Sequence, residues 1–176
     1  MTIANFLMTN STFGNLININ FTPKELYENF KVRKATRVLI FNTQNKIALL
    51  HETVKNYHSL PGGQVEANET PLESAKRECL EETGFEINNI KFIGVVREVL
   101  YVNEILNDSY IFIATKTGEQ LKLSPQEDSE KNSILVWATP EEAITLIKNS
   151  NTGNNPIALS SRERDIEIIN KIQGYI

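Results

Sequence analysis

Residues 63–85 read GQVEANETPLESAKRECLEETGF, and the helix inside that stretch decides how the rest of the chain is read. Thr70-Pro71-Leu72-Glu73 carries a start signal: Thr70 can cap, Pro71 suits the first helical position, and Glu73 sits three residues past the cap, where it closes a capping box. Gly84 is the stop, because a residue without a Cβ takes the left-handed conformation past the last turn at little cost. Between these marks Glu78, Glu81 and Glu82 stand at i, i+3 and i+4, so at about 100° per residue their carboxylates share roughly a third of the circumference. Leu72, Ala75 and Cys79 share another side, which the helix is expected to bury.

Carboxylates at i, i+4 repel by a few tenths of a kcal/mol per pair even on an exposed helix, so a cation belongs on that face. Hard oxygen donors in this number suit Mg²⁺, with Mn²⁺ as the alternative; such ions keep several waters and share their remaining positions with phosphate oxygens. Arg77 lies four residues from both Glu73 and Glu81 and can brace a carboxylate with a forked hydrogen bond. On its own, such a run also describes a solvated surface helix. Leu60-Pro61-Gly62-Gly63 just upstream tips the reading, since glycines let main-chain groups come close to a ligand.

Gly63, Glu69, Arg77, Glu78, Cys79, Glu81, Glu82, Gly84 and Phe85 fall on the spacing Gly-x5-Glu-x7-Arg-Glu-U-x-Glu-Glu-x-Gly-U, with U a bulky apolar residue. In this the chain resembles the Nudix hydrolases and their MutT-like pyrophosphohydrolases. Cys79 is the one departure, smaller than the usual aliphatic. Leu60 to Glu66 resembles the family's lead-in, and Ile134-Leu135-Val136-Trp137 followed by Thr139-Pro140-Glu141-Glu142-Ala143 resembles its late strand and helix. The resemblance covers about residues 35–148. It implies an α/β fold, the family's α/β/α sandwich around a mixed sheet. Residues 1–34 are then an amino-terminal extension with a short helix, and 149–176 a connection and carboxy-terminal helix packed on the same domain.

What the resemblance implies chemically is metal-dependent hydrolysis of a nucleoside diphosphate linked to another group, with a water attacking one phosphorus. The expected substrate is a free nucleoside triphosphate, oxidised purine nucleotides included. An ADP-ribose or sugar-nucleotide pyrophosphatase is the alternative within the enzyme class. A nucleotide-sensing module without turnover is the alternative from another class, one that could dispense with the complete Arg77, Glu78, Glu81 and Glu82 set. Glu78 and Glu82 are the expected metal ligands, Glu81 a third ligand or the base that positions water, and the Gly62 carbonyl a further ligand. Arg77 orients the glutamates and Glu69 supports the loop. The family often draws one more carboxylate from a downstream loop; Glu127, Asp128 and Glu130 are candidates here, and Glu127 is favoured. Tyr57, His58 and Tyr101, with Tyr110, are the aromatic candidates for contact with a base, although each type more often serves packing.

Composition agrees with a single enzyme-sized domain: 176 residues, 40% hydrophobic and 23% charged. One cysteine forms no intrachain disulfide, no stretch approaches the roughly 20 apolar residues of a membrane span, and the first twenty residues hold no Lys or Arg. A cytoplasmic protein with no membrane partner is expected, with a homodimer left open. The formal charge of −4 argues against a general nucleic-acid binder. Lys31, Arg33, Lys34 and Arg37 nonetheless form a basic cluster that could steer phosphates, or an RNA 5′ end, toward the site; a solvated strand entry is the plainer reading.

Around the acidic helix the pattern alternates. Thr22 to Phe30 reads as a short capped helix, and Arg37–Phe41 and Lys46–Leu50 as strands of a hairpin over Asn42–Asn45. Ile90–Leu100 and Ser109–Thr115 read as strands with Asn107-Asp108 turning between them, and Glu119–Asn132 as loop. A last helix is expected from Ser161 to Gln173 with Ile166, Ile169 and Ile172 inward, after a flexible Asn149–Pro156.

Overall fold

The computed structural model describes residues 17–18, 28–121 and 132–173. Among these residues seven strands make one mixed sheet: β1 (Ile17–Asn18), β2 (Lys31–Phe41), β3 (Ile47–Glu52), β4 (Tyr57–Ser59), β5 (Glu86–Leu100), β6 (Ile105–Thr117) and β7 (Ser133–Ala138). The helices are α1 (Pro71–Thr83), α2 (Pro140–Lys148) and α3 (Pro156–Gln173). The sheet runs β1-β5-β6-β2-β3-β4, with β7 on β3. Eleven residues of β2 pair in parallel with β6, whereas β5 with β6, and β3 with both β4 and β7, are antiparallel.

Alternation along β2 explains the layers. Val38 and Ile40 face one side and pack with Ala75 and Cys79 of α1, Ala48 and Phe112; Leu39 and Phe41 face the other and pack with Ala143, Ile147, Ile168, Ile169 and Ile172 of α2 and α3. A strand apolar at consecutive positions is one covered on both faces. The α/β/α sandwich expected from the resemblance is therefore the architecture found. The expected boundary at residue 35 falls inside β2, which begins at Lys31.

The helices α1 and α2, on opposite faces of the sheet, start the same way. Thr70 and Thr139 each accept from the backbone three residues on, Glu73 and Glu142 reach back to the cap amides, and a proline opens each helix. Gly84 ends α1 in the left-handed conformation at φ 72°, with its N–H on the Leu80 carbonyl. Trp137 packs at the edge of the α1-side core. The short helix expected from Thr22 has its start outside the described residues, and residues 28–30 at its far end form turn and coil.

Three local expectations are corrected. Asn107 and Asp108 do not turn; they lie within β6, where the Asn107 amide donates to Glu98 across the ladder at 2.7 Å and Arg97 grips Asp108 through two bonds of 2.6 Å. The reversal is the short 3₁₀ turn Tyr101–Asn103, closed by Glu104 at φ 53°. Leu72 is 41% exposed, and the inner side of α1 is Ser74, Ala75, Cys79 and Thr83, small residues that let the helix lie close to the sheet. In α3 the fully packed isoleucines are Ile168, Ile169 and Ile172, while Ile166 is partly buried.

Ile147 is fully buried where α2 meets the sheet and α3. Truncation to alanine should cost about 2–5 kcal/mol, the range for buried Ile→Ala, measured as a lowered urea midpoint with an unchanged slope.

Candidate functional site

The Leu60–Val65 segment lies along the edge of β2 rather than in solvent. The Val38 amide donates to the Pro61 carbonyl (2.9 Å), Thr36 to Gly63 (2.8 Å), and Val65 returns a bond to Lys34 (3.0 Å). Contact constrains the two glycines differently. A Cβ on Gly62 would stand 2.2 Å from the Thr36 carbonyl oxygen, and Gly62 holds φ +133°. A Cβ on Gly63 would stand 2.3 Å from a carboxylate oxygen of Glu78. The turn is thus pressed between β2 and the acidic face of α1.

A cleft of about 750 Å³ opens there, lined by Glu66, Glu78, Glu81 and Glu82, by Arg33, Arg37 and Arg77, and by Gly62, Gly63 and Gln64. The Gly62 N–H donates to Glu82 Oε2 at 2.7 Å, tying turn to helix. Arg77 is the hub. Its Nε and Nη2 fork onto Glu69 at 3.1 and 2.7 Å, and its Nη1 donates to Glu78 and Glu81 at 2.9 Å each. Glu73, the other neighbour considered for Arg77, is instead engaged at the Thr70 cap.

These contacts set the charges. Hydrogen bonding from Arg77 draws the Glu69 carboxyl down to about 2, so Glu69 stays ionised as a fixed support for the Glu66–Glu69 turn. Desolvation pushes Glu78 up despite Arg77 beside it, marking a carboxylate short of compensating charge. Burial and the nearby Arg164 depress the Arg37 guanidinium, which gives one N–H to the Thr36 carbonyl and leaves Nε buried without a partner. Arg33 Nε is likewise buried and unpaired. The cleft therefore holds an electron-rich rim and, facing the same space, two guanidinium groups with unspent donors.

The expected site residues separate into three groups. Gly62, Arg77, Glu78, Glu81 and Glu82 meet in the cleft. Glu127, Asp128 and Glu130 lie outside the described residues. Tyr57, His58 and Tyr101 are not brought to the cleft. The Tyr57 hydroxyl donates to the Ala158 carbonyl at 3.3 Å; His58 is buried, stacked 4.1 Å from His51 and bonded to Ser150; Tyr101 lies at the β5–β6 reversal, edge-on to Phe30. Tyr110 packs against Phe92. Arg33 and Arg37, read from the sequence only as part of a basic cluster, line the cleft.

A NUDIX domain is recognised over residues 31–159, most of the chain. The chain belongs to the Nudix hydrolase family. Membership makes it an enzyme that hydrolyses phosphoric anhydride bonds, and its relatives place it in the MutT-like group. An RNA pyrophosphohydrolase of Bartonella henselae is 30% identical, over 60% of this chain and 73% of that protein. A Bacillus subtilis protein provisionally named an 8-oxo-dGTP diphosphatase is also 30% identical over 58% of this chain, but the match spans only 64% of its length. The crystal structure of the MutT mutator protein of Bacillus halodurans superposes with a TM-score of 0.55 at 27% identity, over 76% of this chain and 84% of that one. No helix among the described residues of this Nudix hydrolase is long and apolar enough to cross a membrane.

The two glycines yield contrasting expectations. Gly62→Ala forces a Cβ into backbone and should lower the thermal midpoint sharply, whereas Gly63→Ala meets a movable side chain and should leave stability within about 1 kcal/mol while shifting Glu78 and reducing metal-dependent activity at least about 10-fold. Equal thermal midpoints for the two variants would contradict this geometry.

His58 gives a pH expectation. Burial, with His51 second, holds its imidazole below the usual 6.5, so the folded protein resists protonation that the unfolded chain accepts. The stability this contributes is complete above 6.5 and is lost as pH falls through the depressed value; His58→Asn should flatten the thermal midpoint's decline below pH 6.5.

Proposed function

We propose that this Nudix hydrolase cleaves the anhydride of a free nucleoside triphosphate, an oxidised purine nucleotide being the favoured case, with Mg²⁺ (or Mn²⁺) bound to Glu78 and Glu82 and to the Gly62 carbonyl. The observation that carries the reading is the pairing, in one cleft, of a glutamate rim with Arg33 and Arg37, whose Nε donors lack partners. A metal polyphosphate satisfies both halves at once.

The donor set suits a hard divalent ion. Each side-chain donor is a carboxylate, and Mg²⁺ needs only one or two of these with water and phosphate oxygens for the rest. Among the described residues no three acidic, His or Cys side chains converge into a ready cage, because Arg77 Nη1 spans Glu78 and Glu81. Desolvated Glu78 is the carboxylate a divalent charge would relieve most.

A bound divalent cation supplies charge neutralisation at the anhydride and a more acidic water. The protein does the rest. Arg33 and Arg37 donate to the phosphates and fix the chain in line for attack. Glu81, whose side chain is 31% exposed against 12% for Glu78, is the carboxylate open to solvent and takes the proton as water oxygen bonds to phosphorus and the bridging oxygen departs. Arg77 keeps Glu78 and Glu81 oriented through the cycle, anchored by its fork to Glu69. The setting is cytoplasmic.

One observation favours a second substrate, an RNA 5′ end. Lys31 and Lys34, both exposed, stand near Arg33 on β2 and add cationic charge beside the cleft.

The test is product release from canonical triphosphates, 8-oxo-dGTP, ADP-ribose, sugar nucleotides, dinucleoside polyphosphates and 5′-triphosphorylated RNA, each with Mg²⁺ or EDTA. Cleavage of a triphosphate is expected, abolished by EDTA, with Glu82→Gln lowering turnover at least about 100-fold. Turnover indifferent to both changes would sink the assignment, and binding without turnover would favour a sensing module.

A further inference from the structure

The NUDIX match ends at residue 159, yet α3 runs on to Gln173 and carries two charged residues among its packed isoleucines. Arg164 is 2% exposed and Asp165 is not exposed at all. Arg164 donates through Nε to Asp165 Oδ1 at 2.9 Å and through Nη1 to Glu98 Oε2 at 3.0 Å. Glu98, 1% exposed on β5, also accepts from Asn107 and from the Ser160 hydroxyl. Burial works against the Arg164 charge, but Asp165 and Glu98 outweigh it and raise its pKa, so Arg164 stays charged throughout the working pH range.

Charges this deep are rarely retained for stability alone, since desolvation consumes most of the Coulomb gain. One bond in the cluster has another use. Asp165 Oδ2, the oxygen facing away from Arg164 Nε, accepts the main-chain N–H of Leu60 at 3.0 Å. Leu60 is the first residue of the glycine turn, two positions before the Gly62 N–H that meets Glu82. The turn's later carbonyls are set by β2, at Pro61 and Gly63; its entry is set by α3.

We infer that Asp165 is a positioning residue of this enzyme: it fixes the start of the Leu60–Gly63 turn, and through that turn the placement of Gly62 against Glu82 at the metal-binding face. The inference rests on the metal-binding reading given above. It extends the catalytic apparatus into the part of α3 beyond the family match, with Arg164 holding the Asp165 carboxylate in place through Oδ1.

The experiment compares Asp165→Asn, nearly isosteric and chosen to fold, with Ile172→Val, a core change on the same helix that leaves the turn untouched. Three readings are taken on each: hydrogen exchange of the Leu60 amide, Mn²⁺ affinity by calorimetry without substrate, and kcat and KM on whichever substrate the wild type cleaves. Asp165→Asn should speed Leu60 exchange, weaken Mn²⁺ binding and lower kcat, each by about 10–100-fold, with KM within about two-fold. Ile172→Val should leave kcat and Mn²⁺ affinity as in wild type. Unchanged Leu60 protection and Mn²⁺ affinity in Asp165→Asn, or equal losses in both variants, overturn the inference. A wild type that cleaves no member of the panel defeats the functional reading instead, while the exchange and Mn²⁺ readings still decide this one.

Discussion

The site depends on a main chain that comes closer to its surroundings than a side chain would allow. Gly62 lies where a Cβ would strike the Thr36 carbonyl, and Gly63 where one would strike the Glu78 carboxylate. Two adjacent residues without side chains thus bring the turn into hydrogen-bonding range of β2 on one side and α1 on the other. Everything that follows uses that proximity: the Gly62 amide can reach Glu82, and the glutamates of α1 can face the arginines of β2 across a single cleft. A methyl group at Gly62 would press the turn away from β2, whereas one at Gly63 would meet only the Glu78 side chain.

The electrostatics of the cleft form a chain of dependence with Arg77 in the middle. Crowded like charges on one helical face are unfavourable, and the guanidinium offsets this by bonding Glu69, Glu78 and Glu81 together. Glu69 sits before the helix and Glu78 and Glu81 within it, so the same group also fixes the loop to the helix. The fork onto Glu69 needs the planar guanidinium; lysine carries the charge but has no second fixed donor. Glu82, the member of the acidic face that meets the turn, is tied instead to main chain.

Local signals in the sequence were legible where they act over a few residues. The capping box at Thr70 and Glu73, the stop at Gly84 and the shared face of Glu78, Glu81 and Glu82 follow from helical geometry alone, and all are found. The hairpin at Asn42 was equally readable, since its side chain accepts from the Gln44 and Lys46 amides. What failed depended on distant partners. Asn107-Asp108 has the composition of a turn but is held extended by Glu98 and Arg97 on the neighbouring strand, which no local window contains. Tyr57 and His58 look like ligand contacts from their nearness to Gly62, yet β4 delivers them to α3 and to Ser150. The role of Arg37 was obscured because its strand begins at Lys31, earlier than the apolar run suggested. The burial of Arg164 and Asp165 was not legible, because they end the charged run Arg162-Glu163-Arg164-Asp165 just before the isoleucines, and nothing in that run marks these two as the buried pair.

Cys79 stands where the Nudix motif calls for a bulky apolar residue. It is fully buried against the sheet, and burial, with Glu82 and Glu78 adding, pushes its thiol well above the ordinary range. While α1 is seated, this sulfur is neither a nucleophile nor open to oxidants. It is also the chain's single cysteine, one residue from Glu78 on the helix that bears the glutamates. The protein thereby carries an intrinsic gauge of its own catalytic helix, since a thiol-reactive dye can register only those moments when α1 lifts from the sheet.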